Sequence, residues 1–193
     1  MKQQYRITGI AIILIVVVFS AGQPVLAGDL TGELMLQGIF PSGELNDRFQ
    51  NNVGIGVGLN YMYNENVGVH TSMNYLSMSR KRGMGNFAVW HWNLNGRVAH
   101  RFHDDFSAYV LGGLGVYIWN TNRAWWTDYQ AKEGVNLGMN YGFGMNYHFR
   151  SDMEAVFQFN RHGVELKDHD SRVYWSEFSL GLRFLLDSRV LAR

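Results

Sequence analysis

Apolar and polar residues alternate with a period of two along most of this chain, the pattern of β-strands that keep one face in an apolar surrounding. The clearest run is residues 135–149. Val135, Leu137, Met139, Tyr141, Phe143, Met145, Tyr147 and Phe149 project to one side, and Asn136, Gly138, Asn140, Gly142, Gly144, Asn146 and His148 to the other. Residues 54–63 repeat it, with Ile55, Val57, Leu59, Tyr61 and Tyr63 against Gly54, Gly56, Gly58 and Asn60. Six more segments fit the template, at 30–40, 67–78, 88–102, 106–119, 153–160 and 173–184. The connections alternate in length. Short polar turns occupy residues 64–66, 103–105 and 150–152, and longer segments occupy 41–53, 79–87, 120–134 and 161–172. Short turns at one end and long loops at the other predict an all-β fold, an eight-stranded antiparallel up-and-down transmembrane β-barrel with both termini on the short-turn side.

The N-terminal segment follows a different rule. Lys2 and Arg6 precede a charge-free apolar run from Ile7 to Phe19, and Pro24 and Val25-Leu26-Ala27 follow it. That layout predicts a secretory signal peptide over residues 1–27, cleaved after Ala27, with the barrel domain over 28–193. An apolar run of 13 residues is short of the roughly 20 that a membrane-spanning helix needs. Removing residues 1–27 takes the net charge from +1 to −1, which speaks against nucleic acid as a partner. The chain contains no cysteine, so it needs no disulfide and has no thiolate metal site.

The composition of the polar face decides between a membrane barrel and a soluble β-sandwich or lipocalin-like barrel, which alternates equally well. Beyond the signal segment the lysines are Lys81, Lys132 and Lys167, all in expected loops, and the polar face is rich in Gly and Asn. A narrow eight-stranded lumen needs such small residues. The apolar face carries no charge over the eight expected segments, and its aromatics gather toward strand ends. Tyr61, Tyr63, Phe102, Phe106, Tyr147, Phe149 and Phe184 lie at the turn side, and Phe40, Tyr75, Trp90, Trp92 and Tyr174 at the loop side. Two such belts are the girdles expected at the two lipid–water interfaces.

Ala108-Tyr109-Val110-Leu111-Gly112-Gly113-Leu114-Gly115-Val116-Tyr117, and the aromatic-ended Phe178-Ser179-Leu180-Gly181-Leu182-Arg183-Phe184, resemble strands of the small outer-membrane barrels of OmpA/OmpX type, the porin-like outer membrane protein β-barrel domains. The resemblance implies export to the outer membrane of a Gram-negative cell envelope. Partners would be outer-membrane lipid and lipopolysaccharide, with the barrel-assembly machinery acting during biogenesis on a monomeric chain. The last strand departs from the family pattern, because nine residues follow Phe184.

Inside the expected barrel the inward charges are Glu33, Glu154 and Glu177 against Arg97, Arg101 and Arg183. The last strand closes between the seventh and the first, so Arg183 has Glu33 and Glu154 as neighbours, and Arg97 and Arg101 approach from the opposite wall. Buried charges persist only when paired, so a lumenal ion-pair network is expected to plug the periplasmic half. Toward the loops Leu76, Val89, Tyr117 and Trp175 point inward, either filling the space that the glycines leave or lining an apolar ligand pocket. Arg80-Lys81-Arg82 in the second long loop could pair with lipopolysaccharide phosphates. Trp125, Trp126 and Tyr129 in the third suit anchoring at the interface.

Catalytic and metal chemistry find little support in these residues. The segment His162-Gly163-Val164-Glu165-Leu166-Lys167-Asp168-His169-Asp170 is dense in donors, but lacks a second fixed element and is expected to be a solvated loop. His70 and His91 fall on adjacent strands at different heights, so no metal site and no cofactor are assigned. Asn160-Arg161-His162-Gly163-Val164 has no serine two positions after its histidine, unlike the His-x-Ser motif of outer-membrane lipid A deacylases. The expected role is therefore a non-enzymatic integral barrel, structural or in contact at the cell surface. The alternatives are a narrow channel for small solutes and, third, a lipid-modifying enzyme.

Overall fold

A computed structural model describes residues 29–79, 81, 86–121, 134–166 and 171–186. The expected signal peptide, Arg80, Arg82, the loop aromatics Trp125, Trp126 and Tyr129, residues 167–170 and the tail from 187 lie outside the described residues. Eight strands follow in order: β1 (Asp29–Ser42), β2 (Asn52–Met62), β3 (Val67–Ser79), β4 (Asn86–His103), β5 (Phe106–Thr121), β6 (Gly134–Arg150), β7 (Met153–Leu166) and β8 (Ser171–Leu185). A five-residue helix, α1 (Glu44–Arg48), sits between β1 and β2.

Each strand pairs antiparallel with the next, and β8 closes on β1 from Thr31↔Leu185 to Ser42↔Tyr174. Closure leaves no sheet edge, as a sheet in hydrocarbon requires. The stagger can be followed pair by pair from Leu30 through Tyr61, Val69, Gly96, Gly112, Tyr141, Arg161 and Ser176. It returns to β1 at Phe40, ten residues further along. With strands spaced about 4.8 Å apart and rising about 3.3 Å per residue, that stagger tilts them by roughly 40°.

Side chains sort by parity as the alternation predicts. Leu34, Leu36, Ile55, Val57, Leu114, Leu137, Met139, Tyr141 and Leu180 stand on the outer wall, and Glu33, Gln37, Asn60, Asn74, Asn93, Asn95 and Asn140 are buried inside. Aromatic contacts run along both belts, with Tyr61–Tyr63 and Phe106–Tyr147 at 4.9 Å near the turns and Tyr75–Trp90 at 4.8 Å near the loops.

Two expectations need correction, and one loop takes a course that the alternation does not reveal. β7 runs to Leu166, so most of the segment assigned to a solvated loop from residue 161 is strand. The longer β7 and β8 place Arg161, Glu165 and Arg172 on the outer wall, which is therefore not free of charge near the loop end. β7 and β8, of 14 and 15 residues, exceed the 9–11 or so that cross hydrocarbon, so their upper ends can carry charge beyond it. Arg161 Nη1 donates to Ser42 Oγ at 2.6 Å and Ser176 Oγ at 2.9 Å. Finally, the first long loop folds inward. Gly43, at φ +59°, turns the chain into α1 in a conformation that suits glycine, and Leu45 and Phe49 enter the barrel, each 1 % exposed.

Glycines make room for these inward residues. A Cβ on Gly138 would lie 2.7 Å from the ring of Tyr117 and 2.7 Å from the carbonyl of Gly163, whereas a Cβ on Gly112, on the outer wall, would meet nothing closer than 3.7 Å. Gly138→Val is expected to cost about 1–3 kcal/mol by overpacking and Gly112→Ala to be near neutral. Equilibrium unfolding in lipid vesicles measures both.

Candidate functional site

The lumen is occupied at two levels. At the periplasmic level, register sets Arg183 of β8 between Glu33 of β1 and Glu154 of β7. Its Nε donates to Glu33 Oε1 at 2.6 Å and its Nη1 to Glu154 Oε2 at 2.8 Å. Arg97 comes from the opposite wall, with Nη1 3.8 Å from Glu33 Oε1 and donating to Asn60 Oδ1 at 3.0 Å. Its guanidinium lies 3.7 Å above the ring of Tyr109, whose hydroxyl donates to Gln158 Oε1 at 2.8 Å. Two histidines complete the network: His70 Nε2 stands 3.2 Å from Glu33 Oε2, and His148 Nδ1 3.0 Å from Glu154 Oε1. Four ionic side chains thus pair with one another, as burial of charge demands, although Arg97 Nε and Arg183 Nη2 are left without a hydrogen-bond partner. Below them a polar vestibule of about 520 Å³ opens to the periplasmic side, lined by Asp29, Arg101, Ser107 and Asp152 among others.

The loop-side level is apolar and aromatic. Leu76, Val89, Tyr117 and Trp175, each at 0 % exposure, form one cluster with Ile39, Leu45, Phe49, Met78, Val164 and Val173. Beneath this cap two cross-strand stacks face each other. His91 of β4 stacks on Tyr117 of β5, and His162 of β7 on Trp175 of β8, with ring centroids 5.4 and 4.9 Å apart. Between them lies Glu177. Its Oε1 accepts from Trp175 Nε1 at 2.7 Å and stands 3.2 Å from Nε2 of both His91 and His162. On the far side of each imidazole, Nδ1 of His162 meets the Tyr117 hydroxyl at 2.9 Å and Nδ1 of His91 meets the Asn93 amide at 2.9 Å. Tyr117 in turn donates to Asn93 Oδ1 at 3.3 Å, so the polar contacts form a ring across the lumen.

An all-antiparallel eight-stranded meander with lipid-facing aromatics and a polar, filled lumen now stands complete. Residues 11–184 match the outer membrane protein beta-barrel domain family. The chain belongs to this family. Membership places this outer-membrane barrel in the outer membrane.

Among solved structures it is similar to the Neisserial surface protein A, with a TM-score of 0.62 at 10% identity over 81% of this chain and 97% of that one. OprG of Pseudomonas aeruginosa gives 0.57 at 9% identity over 83% and 96%, and Ail of Yersinia pestis 0.53 at 16% over 82% and 99%. At such identities the likeness is one of fold. No curated protein matches the chain.

Of the six residues expected to form one ion-pair network in this outer-membrane barrel, four meet: Glu33, Arg97, Glu154 and Arg183. Glu177 does not join them. It lies six residues from Arg183 along β8, roughly 20 Å at 3.3 Å per residue, and pairs with histidines instead. Arg101 is exposed at the vestibule, beside a β4 bulge between Arg101 and His103, and forms no ion pair with a described residue. The candidate pocket residues Leu76, Val89, Tyr117 and Trp175 come together, but as a filled cap into which Leu45 and Phe49 of the first loop also pack.

The site that sequence reasoning missed is His91–His162–Glu177. Its signal was the continued alternation past Asn160, where His162 and Val164 keep the inward parity of Gln158. Of the basic triplet Arg80-Lys81-Arg82 only Lys81 is among the described residues; it is exposed and donates to the Asn46 carbonyl of α1.

Replacing Arg183 with Met leaves Glu33 and Glu154 facing each other's charge without their shared partner. The expected loss is about 3–5 kcal/mol, and Glu33→Gln in the same chain should restore part of it. Unfolding in vesicles of the single and double variants provides the measurement.

Proposed function

We propose that this protein is a non-enzymatic, closed barrel that serves the outer membrane through its wall and loops, in envelope integrity or contacts at the cell surface, and not as a conduit. One observation carries this reading: the lumen is filled with side chains at both levels, by the Glu33–Arg183–Glu154–Arg97 network below and by the cluster around Trp175 above. A conducting pore needs a continuous wet path, and here polar layers between the two plugs bond to each other. Gln37 Nε2 donates to Asn74 Oδ1 at 2.7 Å and Asn140 Nδ2 to Asn93 Oδ1 at 3.3 Å. Hydrolytic chemistry of the His-nucleophile type lacks support at His162, whose ring meets Tyr117 and Glu177 and not a serine or threonine hydroxyl.

The same reading extends to biogenesis and partners. The chain is exported by residues 1–27, cleaved after Ala27 and inserted by the barrel-assembly machinery as a monomer. The basic triplet Arg80-Lys81-Arg82 meets lipopolysaccharide phosphates at the outer surface; the Lys81 ammonium is exposed and, beside its bond to Asn46, has further N–H groups to offer an anion.

Single-channel recording in planar bilayers tests closure. The purified barrel is expected to give no steady, well-resolved conductance, and steady channels from the wild-type chain would refute the reading.

A further inference from the structure

The ring around Glu177 leaves a problem that the hydrogen bonds of the lumen do not solve. Glu33 and Glu154 have arginines. Glu177 is fully buried, and among the described residues its ion-pair partners are two histidines only. Both imidazoles aim Nε2 at the same carboxylate oxygen, yet neither makes an aligned hydrogen bond to it. His91 Nε2, His162 Nε2 and Glu177 Oε2 are all buried polar atoms without a hydrogen-bond partner. Other inward atoms also lack a partner, Arg97 Nε and Asn95 Oδ1 among them, but among the described residues only here do three belong to metal-ligating side chains that converge on one point, a costly arrangement in a dry interior.

We propose that His91, His162 and Glu177 bind a divalent transition-metal ion, Zn²⁺ by their donor set, in the loop half of the lumen. Their ligand atoms all lie within 4.8 Å of one another. A tetrahedral ion about 2.0–2.2 Å from its ligands holds those ligands roughly 3.3 Å apart, and each Nε2 stands 3.2 Å from Glu177 Oε1. Two imidazoles and a carboxylate suit Zn²⁺ better than Ca²⁺ or Mg²⁺, which prefer oxygen. The outer contacts are those of a metal site as well. Tyr117 and Asn93 hold the two Nδ1 atoms at 2.9 Å, which leaves Nε2 as the ligating atom of each ring. With Nε2 on the ion each Nδ1 carries a proton, so the Tyr117 oxygen accepts from His162, and the Asn93 amide turns its oxygen to His91 and gives up the bonds that Tyr117 and Asn140 make to that oxygen in the metal-free lumen. Glu177 Oε2 remains as a further donor.

The ion would replace two unsatisfied imidazole nitrogens by coordinate bonds, with Glu177 Oε1 as the third ligand and Oε2 or a water as the fourth, and supply the positive charge that Glu177 lacks. It would also tie the β4 wall to the β7–β8 wall across the lumen, beneath the cap that Leu45 and Phe49 close. Enclosure there means loading as the barrel folds, or through opening of the loop end. The inference reaches beyond closure: a barrel without metal could still be plugged.

The test uses the untagged chain refolded into lipid vesicles with Zn²⁺, with Co²⁺ or without metal. Wild type is expected to retain close to one Zn²⁺ per chain after passage through metal-free buffer and to give the visible absorption bands of tetrahedral Co²⁺. Retention should fall by at least about tenfold in His162→Gln and Glu177→Gln, and Tyr117→Phe should weaken affinity about 10–100-fold while keeping the same stoichiometry at saturation. A folded wild-type barrel that retains no Zn²⁺ and gives no tetrahedral Co²⁺ spectrum overturns the proposal. So does an ion held equally by wild type and Glu177→Gln, since it would then sit elsewhere. If those two variants fail to fold, the Co²⁺ spectrum of the wild type decides.

Discussion

Everything in this barrel follows from the need to pair each backbone N–H and C=O where lipid offers no partner. The meander meets that need by joining β8 to β1 along twelve residue pairs, Thr31↔Leu185 to Ser42↔Tyr174. Once closed, eight strands with a stagger of ten leave a lumen only a few side chains wide. The inward residues must then fill that width at interior density and satisfy one another, since neither water nor lipid can do it for them. Glycine appears where a neighbour needs the room, as Gly138 does beside Tyr117.

The two levels of the lumen solve this problem with different chemistry. Near the periplasm the solution is ionic: Arg183 bridges Glu33 and Glu154, and Arg97 lies on Tyr109. Toward the cell surface it is aromatic and apolar, with Trp175 and Tyr117 under a cap built partly from α1. Glu177 is the exception, a carboxylate set in the aromatic level. Its placement gives the loop half a chemical identity that an apolar plug would not need. The outer wall adds a second asymmetry, for Arg161, Glu165 and Arg172 all stand in the loop-side halves of β7 and β8.

Reading the chain from its residues alone reached the architecture because that architecture is written in local parity. Alternation, short turns such as Asn64-Glu65-Asn66 and the Gly/Asn face each report on a strand and its immediate surroundings. The same local logic ended β7 at Asn160, because charged and polar residues from Arg161 onward resemble a loop when the outer face is assumed to be entirely lipid-facing. It also grouped Glu177 with Arg183, since both point inward on one strand. Parity says which face a residue occupies. It does not say how high the residue stands or what crosses the lumen to meet it.

From sequence alone came the class of fold, the strand number, the inward and outward sets and the pairing of Arg183 with Glu33 and Glu154, which are neighbours across adjacent strands and so follow from strand order. Tertiary structure alone decided the stagger, the entry of Leu45 and Phe49 into the barrel, and the meeting of His91 with His162 and Glu177. Those contacts cross from one wall to the other. Their geometry depends on closure and tilt, which are properties of all eight strands together and of no single stretch of sequence.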